Sequence, residues 1–131
     1  METKIFEPEK YPLQSETFQL IGIGMEVHRT LGHGFLEIIY KDAIEIELRK
    51  KLISYERERK FEIDYKGMTL PHFYYSDFII MDKIILEVKA QQGIADERYK
   101  QLINYLKVSE CQIGIIMNFG ESSLKYKRVI L

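Results

Sequence analysis

Two charged residues two positions apart, Glu87 and Lys89, present the clearest case for chemistry in this sequence. They lie in an apolar run that is typical of a strand, and residues two apart in a strand project from the same face. Leu86 and Val88 then point to the opposite face, into a core. Asp77 lies ten residues before Glu87, in the predicted neighbouring antiparallel strand. The sheet is therefore expected to gather two carboxylates and one ammonium group, provided that the strand register allows it.

The register between these two strands decides whether Asp77 joins the pair. Pairing Ile80 with Ile84 around a three-residue loop sets Asp77 opposite Glu87, with Cβ atoms about 4.5–5.5 Å apart. A two-residue loop would turn Asp77 to the other face. We therefore predict an odd-length loop or a bulge near Asp82. The alternative is that these charges are structural and form only surface ion pairs.

Two carboxylates at that distance suggest a particular chemistry. They repel each other unless a cation lies between them, and hard oxygen ligands of this kind suit Mg²⁺ or Mn²⁺. Lys89 beside them can orient or activate a water molecule and neutralise charge that develops on a phosphate. The chemistry that the residues predict is metal-dependent hydrolysis of a phosphodiester.

Three helices are predicted around these strands. Apolar residues at helical spacing indicate a first helix that begins after Ser15 as its N-cap and ends at Gly32. A second helix is predicted over about residues 36–53, where apolar residues recur every fourth position and basic residues cluster in the last turn. A third is predicted over about residues 95–109.

The strands are predicted from a change of period. Apolar and charged residues alternate after the second helix, and Lys66-Gly67 supplies the turn of a β-hairpin, so that three antiparallel strands follow one another. The crossover through the third helix requires one parallel strand pair. The order is ααβββαββ, an α/β fold with a mixed sheet flanked by helices. The strands are expected at about residues 60–66, 72–81, 83–90, 113–117 and 124–131.

Composition narrows the class of protein. A chain of 131 residues, 46% of them hydrophobic, fits one compact domain over residues 1–131. No apolar run reaches the ~20 residues that cross a bilayer, and the charged start over residues 1–15 predicts an extended arm instead of a signal peptide, so we expect a cytoplasmic protein without membrane contact. The net charge of -1 disfavours a protein that coats nucleic acid, so any such contact must use local basic patches. The lone Cys111 excludes an internal disulfide.

Two further pairs of polar residues have suggestive spacing. Glu37 and Tyr40 lie three apart on one helical face, directly after a tight glycine turn, and Gln101 and Tyr105 lie four apart on the third helix. Each pair also has a structural interpretation. Glu37 is favourable near a helix N-terminus and Tyr40 fits the core, while the second pair can be one exposed and one buried residue.

Several separated motifs follow one another along the chain: VHRTLGHGFLEIIY from Val27 to Tyr40, then YSDFII, ILEVKA, QLINYL and IGIIMNFG. In order and spacing they resemble the bacterial GxxExxY family, a RecB-like branch of the PD-(D/E)xK nuclease superfamily. The resemblance runs from about residue 20 to the C-terminus. It implies a restriction-endonuclease-like αβββαβ core, which agrees with the element order above and adds one N-terminal helix.

The resemblance also implies roles for individual residues. Asp77 and Glu87 correspond to the acidic metal ligands and Lys89 to the catalytic lysine. Glu37 corresponds to a helix-borne acid that completes or assists the metal site. His28 falls where some RecB-like nucleases carry a metal-ligating histidine, although a lone helical histidine is more often structural.

The third helix matches the resemblance as well. Gln101 and Tyr105 correspond to a Gln-x-x-x-Tyr element, which implies contact with substrate phosphate or support of the site, and we group Tyr40 with them as a supporting residue. His33 stands where a proline is expected between the two glycines, in a loop.

Two functions remain open from the sequence. The first is an Mg²⁺- or Mn²⁺-dependent nuclease that acts on nucleic acid, with DNA favoured over RNA. The second is a catalytically silent nuclease-fold module that binds a nucleic acid or a protein partner, because so small a core leaves little surface to grip a duplex. A homodimer or a partner protein is compatible with both.

Overall fold

Three helices and seven strands make up residues 13–131, the range that this computed structural model describes. The predicted arm over residues 1–15 lies outside that range except at its end, where the prediction is wrong because residues 14 and 15 already belong to a helix. In chain order the elements are α1 (Gln14–Leu31), α2 (Glu37–Lys50), β1 (Tyr55–Arg57), β2 (Lys60–Tyr65), β3 (Met68–Tyr75), β4 (Phe78–Ile80), β5 (Ile84–Lys89), α3 (Asp96–Ser109), β6 (Ile113–Asn118) and β7 (Lys125–Ile130).

The first helix starts two residues earlier than the sequence suggests. Leu13, in a left-handed conformation, occupies the N-cap position, while Ser15 lies in the first turn and donates a hydrogen bond to the neighbouring Glu16 at 3.1 Å. The predicted end is confirmed. Gly32 has φ 71°, which a glycine adopts without strain, and its N–H donates to the carbonyl of His28.

The second helix ends before its predicted limit, whereas the third agrees with its prediction to within one residue. The chain leaves α2 at Leu52, which has φ 56°, and the N–H of Ile53 turns back to the carbonyl of Leu48. These contacts satisfy the last carbonyl groups of the helix and start the extended segment that follows.

A five-stranded mixed sheet lies at the centre, in the order β1-β4-β5-β6-β7. The chain crosses from β5 through α3 to β6, and these two strands are parallel, while the other neighbours are antiparallel. Gly114 lets α3 approach closely, since a Cβ atom there would lie 2.8 Å from Leu102. The predicted α/β class and mixed sheet are confirmed.

The predicted continuous strand over 72–81 is wrong, because the chain breaks at Ser76 and Asp77. Before the break, β3 pairs only with β2 in a separate two-stranded sheet; after it, β4 joins the main sheet. The break is held by backbone bonds, from Ser76 to the carbonyl of Arg59 and from Glu58 to the carbonyl of Asp77.

The short strand β1 was not predicted, since its residues form part of a charged run. It pairs with β4 at the sheet edge, where charged side chains are common. Arg57 bonds to Asp42 at 2.8 Å and to Glu45 at 2.9 Å, and Tyr55 donates to Glu45 at 2.7 Å. Ion pairs and hydrogen bonds with α2 therefore hold β1 in place, although its sequence lacks the apolar pattern that is typical of a strand.

The two faces of the sheet pack against different partners. The strand residues on one face pack with α1 and α2 in a cluster that includes Leu86 and Val88. The residues on the other face, among them Ile85 and Ile116, pack with α3 and with the β2–β3 hairpin. Alternation along β5 thus directs Glu87 away from Leu86 and Val88, as predicted, and this second face is the one that packs against α3 and the hairpin.

Candidate active site

The strand register places Asp77 beside Glu87, as the site hypothesis requires. Ile80 pairs with Ile84 and Phe78 with Leu86, so residues 81–83 form a three-residue loop. Met81 and Asp82 in this loop have φ 55° and 56°, which closes the odd-length turn. Continuing this register by one residue brings Asp77 opposite Glu87.

Hydrogen bonds connect the two acids directly to the paired strands. The backbone N–H of Asp77 donates to Glu87 Oε2 at 3.1 Å. In return, Asp77 Oδ2 accepts a hydrogen bond from the N–H of Val88 at 2.7 Å. Both carboxylates are therefore fixed by main-chain donors at the point where β4 begins.

Glu87 is a buried carboxylate, only 9% exposed. The hydroxyl of Tyr74 donates to its Oε2 at 3.0 Å, and this oxygen also receives the bond from Asp77. Burial, followed by the negative charge of Asp77, raises the pKa of Glu87 to about 7, although the hydrogen bonds and the charge of Lys89 act in the opposite direction. The fold thus holds two acids closer together than their charges alone would favour.

Tyrosine rings form the wall beside Glu87. Tyr74 stacks on Tyr105 with ring centroids 3.4 Å apart, and on Phe61 at 5.7 Å. Burial and the charge of Glu87 raise the pKa of the Tyr74 hydroxyl, so it remains a proton donor. This tyrosine, which the sequence analysis did not single out, fixes the orientation of the central acid.

The predicted pair on α3 reaches the site through that stack. Tyr105 is half-buried; burial raises its pKa, whereas a hydrogen bond from Gln101 lowers it. Gln101 itself is exposed. Tyr105 therefore lies against Tyr74 and Gln101 contacts Tyr105, and neither forms a hydrogen bond with Glu87.

Lys41 of α2 is the cation that sequence reasoning missed. Its Nζ lies 2.7 Å from Asp77 Oδ1, and both side chains are 13% exposed. Burial disfavours its charge, but the hydrogen bond and charge of Asp77, with smaller contributions from Glu37 and Glu58, raise the pKa of Lys41. The available signal was its position one turn after Glu37, on a helix already suspected of facing the site.

Glu37 lies at the start of α2, and the structure does not group it with the other two acids. Within residues 13–131, no three His, Cys, Asp or Glu side chains are placed to hold a metal ion together. The negative charge of Glu37 affects the site indirectly, because it contributes to the raised pKa of Lys41. The three predicted acidic ligands therefore separate into one close pair and one outlying residue.

Lys89 ends β5, on the same face as Glu87 by alternation, and is half-buried. Its carbonyl accepts a hydrogen bond from the N–H of Phe119 at 2.8 Å. The next strand supplies Asn118, 1% exposed, whose amide accepts from the N–H of Gln91 at 3.0 Å and donates to its carbonyl at 2.7 Å. Asn118 therefore fixes the segment that follows the lysine, a role that the sequence did not predict.

Tyr40 and His28 lie in a neighbouring aromatic cluster. The Tyr40 hydroxyl donates to the carbonyl of Gly32 at 2.7 Å and accepts from the N–H of Phe35 at 3.2 Å. His28 Nε2 lies 2.8 Å from the carbonyl of Glu121. Both rings stack on Phe119, which connects them to the end of β6. These contacts give Tyr40 a supporting role in the turn between α1 and α2, and they tie His28 to a loop.

Comparison with known proteins supports the fold described above. A family model described as the PD-(D/E)XK nuclease superfamily matches residues 14–129. The chain belongs to this superfamily. No curated protein matches it. Among solved structures, the crystal structure of SSO0001 is similar, with a TM-score of 0.59 and 19% identity over 94% of this chain and 61% of that one. This likeness supports the restriction-endonuclease-like fold, and the chain spans less than two thirds of the SSO0001 chain.

Nucleases of this superfamily typically use divalent metal ions, and the close acid pair fits such an ion. Carboxylate oxygens are the ligands that Mg²⁺ and Mn²⁺ prefer. A cation between Asp77 and Glu87 would relieve the repulsion that raises the pKa of Glu87. In the part of the chain that is described, no helix is long and apolar enough to span a membrane.

Proposed function

We propose that this chain is a metal-dependent nuclease that hydrolyses phosphodiester bonds of nucleic acid. The observation that carries the proposal is the placement of Asp77 opposite Glu87, with Lys89 two residues further along β5. Membership of the nuclease superfamily supports the same reading. We further assign the chain to the GxxExxY group of RecB-like members, on the motifs between Val27 and Gly120, and expect it to act in the bacterial cytoplasm.

Asp77 and Glu87 are the residues that would hold Mg²⁺ or Mn²⁺. Both hydrogen bonds from Tyr74 and from the Asp77 backbone end on Glu87 Oε2, so neither of these donors occupies Oε1. When bound, a divalent cation supplies Lewis-acid activation of water and neutralises charge on the scissile phosphate. We assign Glu37 to the electrostatic surroundings of Lys41 and His28 to the support of the loop after β6, outside the ligand set.

The chain's own residues supply positioning and charge. Lys89 is placed to bind a phosphate oxygen and to stabilise the negative charge that builds as water attacks phosphorus and the ester bond breaks. Tyr74 holds Glu87 in one orientation at 3.0 Å. Gln101, on the exposed side of α3, is placed to contact the substrate backbone, and Tyr105 supports Tyr74.

The substrate class follows from the superfamily and from charge. A net charge of -1 gives no net long-range attraction of a polyanion, so local basic patches must hold the strand. We expect DNA to be preferred over RNA, and a second copy or a partner protein to extend the grip on a duplex.

Cleavage of labelled single- and double-stranded DNA and RNA, with Mn²⁺, Mg²⁺ or EDTA, tests the proposal. We expect metal-dependent cleavage that falls by about 10²-fold or more in Glu87→Gln and Lys89→Met, in line with the loss of one electrostatic contact in a catalytic site. Lys83→Met is the matched control, since this exposed lysine lies in the same hairpin outside the site.

Persistent cleavage in both site variants would contradict the assignment. Folded protein that never cleaves, yet binds nucleic acid or a protein equally well after Asp77→Asn, would instead identify the chain as a catalytically silent binding module.

A further inference from the structure

A lysine occupies one side of the candidate metal site. The Lys41 ammonium lies 2.7 Å from Asp77 Oδ1, and both side chains are largely buried. This is a short, shielded contact between elements distant in sequence, in contrast to the exposed ion pair between Arg29 and Glu26 within α1. A contact of this kind is built into the packing of α2 against the sheet.

The position of this ammonium group matters for how many metal ions fit. Asp77 Oδ1 is already paired with a cation, Lys41, whereas Oδ2 receives only the neutral N–H of Val88 and keeps a lone pair with which Asp77 could hold the ion shared with Glu87. Glu37 is the acid that could complete a second cation site from α2, and it lies one helical turn before Lys41. A second cation shared by Asp77 and Glu37 would meet the lysine's positive charge.

The formal charges support the same conclusion. When both are ionised to hold an ion, Asp77 and Glu87 carry two negative charges, and Lys41 and Lys89 carry two positive charges, so the four groups cancel. One divalent ion then leaves two positive charges to face an anionic phosphate, whereas a second ion would leave three even with Glu37 counted as its ligand. A single divalent ion therefore already gives the site a net positive charge, and a second ion would add repulsion between cations.

We propose that Lys41 is an internal cation that replaces a second metal ion and limits this site to one divalent ion. The proposal rests on the proposed metal-dependent function and specifies its metal requirement. In this role Lys41 is a positioning residue, because it acts on Asp77 and does not contact the substrate.

The number of Mn²⁺ ions bound per chain tests the proposal, measured by electron paramagnetic resonance of free Mn²⁺ and by calorimetry. We expect one ion for the unmodified chain and for Lys41→Arg, which keeps the charge, and two for Lys41→Met, which keeps the length of the side chain but removes the charge. Lys50→Met, at an exposed position of α2, should bind one ion.

The possible results distinguish a failure of this proposal from a failure of the proposed metal-dependent function. Two ions bound to the unmodified chain would overturn the proposal whatever the variants do, so the test does not depend on Lys41→Met folding. One ion bound to a folded Lys41→Met variant would also overturn it while leaving the nuclease assignment intact. No binding to the unmodified chain would defeat the metal-dependent function itself.

Discussion

The two faces of the central sheet differ along the same strands. Toward α1 and α2, the buried side chains of β4, β5 and β6 are all apolar, from Phe78 to Met117. Toward α3, by contrast, Ile85 of β5 is followed by the buried Glu87, and Ile116 of β6 is followed by the buried Asn118. One face of the sheet is thus a continuous apolar core, whereas the carboxyl ends of β5 and β6 on the other face carry polar residues of the candidate site and of the loop beside it.

Adjacent residues of β5 provide the sharpest test of this contrast. Leu86→Ala should lower the free energy of unfolding by about 2–5 kcal/mol, because it leaves a cavity in the apolar face. Glu87→Gln should cost no more than about 1 kcal/mol at pH 7, because an amide oxygen still accepts both hydrogen bonds and the repulsion with Asp77 disappears. Urea unfolding of both variants checks this, and equal losses would make Glu87 a structural residue.

Substitution of Asn118 tests whether this side chain holds the loop that follows Lys89. Asn118→Ala should reduce the free energy of unfolding by about 1–3 kcal/mol, because the backbone N–H and carbonyl of Gln91 lose the buried amide that binds both of them. Asn104→Ala, exposed on α3, is the control and should change stability by less than about 0.5 kcal/mol. If the two variants unfold alike in urea, Asn118 does not hold the loop after Lys89.

The raised pKa of Glu87 predicts that the free energy of unfolding depends on pH. The ordinary carboxyl pKa of 4.5 applies in the unfolded chain, and the folded value is about 7. Between these pH values the folded state keeps a proton that the unfolded state has lost, so stability falls as pH rises through this window and levels off above it.

Glu87→Gln removes this effect. In EDTA, its unfolding free energy relative to the unmodified protein should therefore rise from pH 5 to pH 7, by on the order of 1–3 kcal/mol. A difference between the two proteins that does not vary with pH would contradict the burial and repulsion inferred for Glu87.

The smallest expected effect on stability concerns Tyr74, whose ring stacks on Tyr105 beside Glu87. Tyr74→Phe removes the donor to Glu87 but keeps the ring stacked on Tyr105, so stability should fall by about 0.5–1.5 kcal/mol. Loss of a group that orients a ligand should weaken Mn²⁺ binding about 10-fold or more. Tyr75→Phe, at the exposed next position, should change neither quantity, and a similar loss of Mn²⁺ affinity in both would refute the orienting role.

Local patterns account for what the sequence predicted of this site. Alternation in β5 and a short hairpin loop are enough to bring Asp77 beside Glu87, since both depend on residues close in the chain. Lys41 and Asn118 were missed because their contacts join separate elements; the spacing of Lys41 from Glu37 indicates a shared helix face but not the partner, and no pattern marks Asn118. The strand β1 escaped prediction for a related reason: its ion pairs with α2 replace an apolar pattern.

The break between β3 and β4 also depended on tertiary contacts. Residues 72–81 read as one strand because their local pattern is extended throughout. The backbone bonds from Ser76 to Arg59 and from Glu58 to Asp77 redirect the chain into a second sheet. That redirection positions both Tyr74 and Asp77 around Glu87.

The most direct test of the central claim is the location of Mn²⁺ in a crystal of this protein soaked with the ion, read from anomalous scattering. We expect one peak per chain in contact with carboxylate oxygens of both Asp77 and Glu87, with Lys41 still bonded to Asp77. A crystal in which Mn²⁺ binds elsewhere, or in which neither acid contacts an ion, would contradict it.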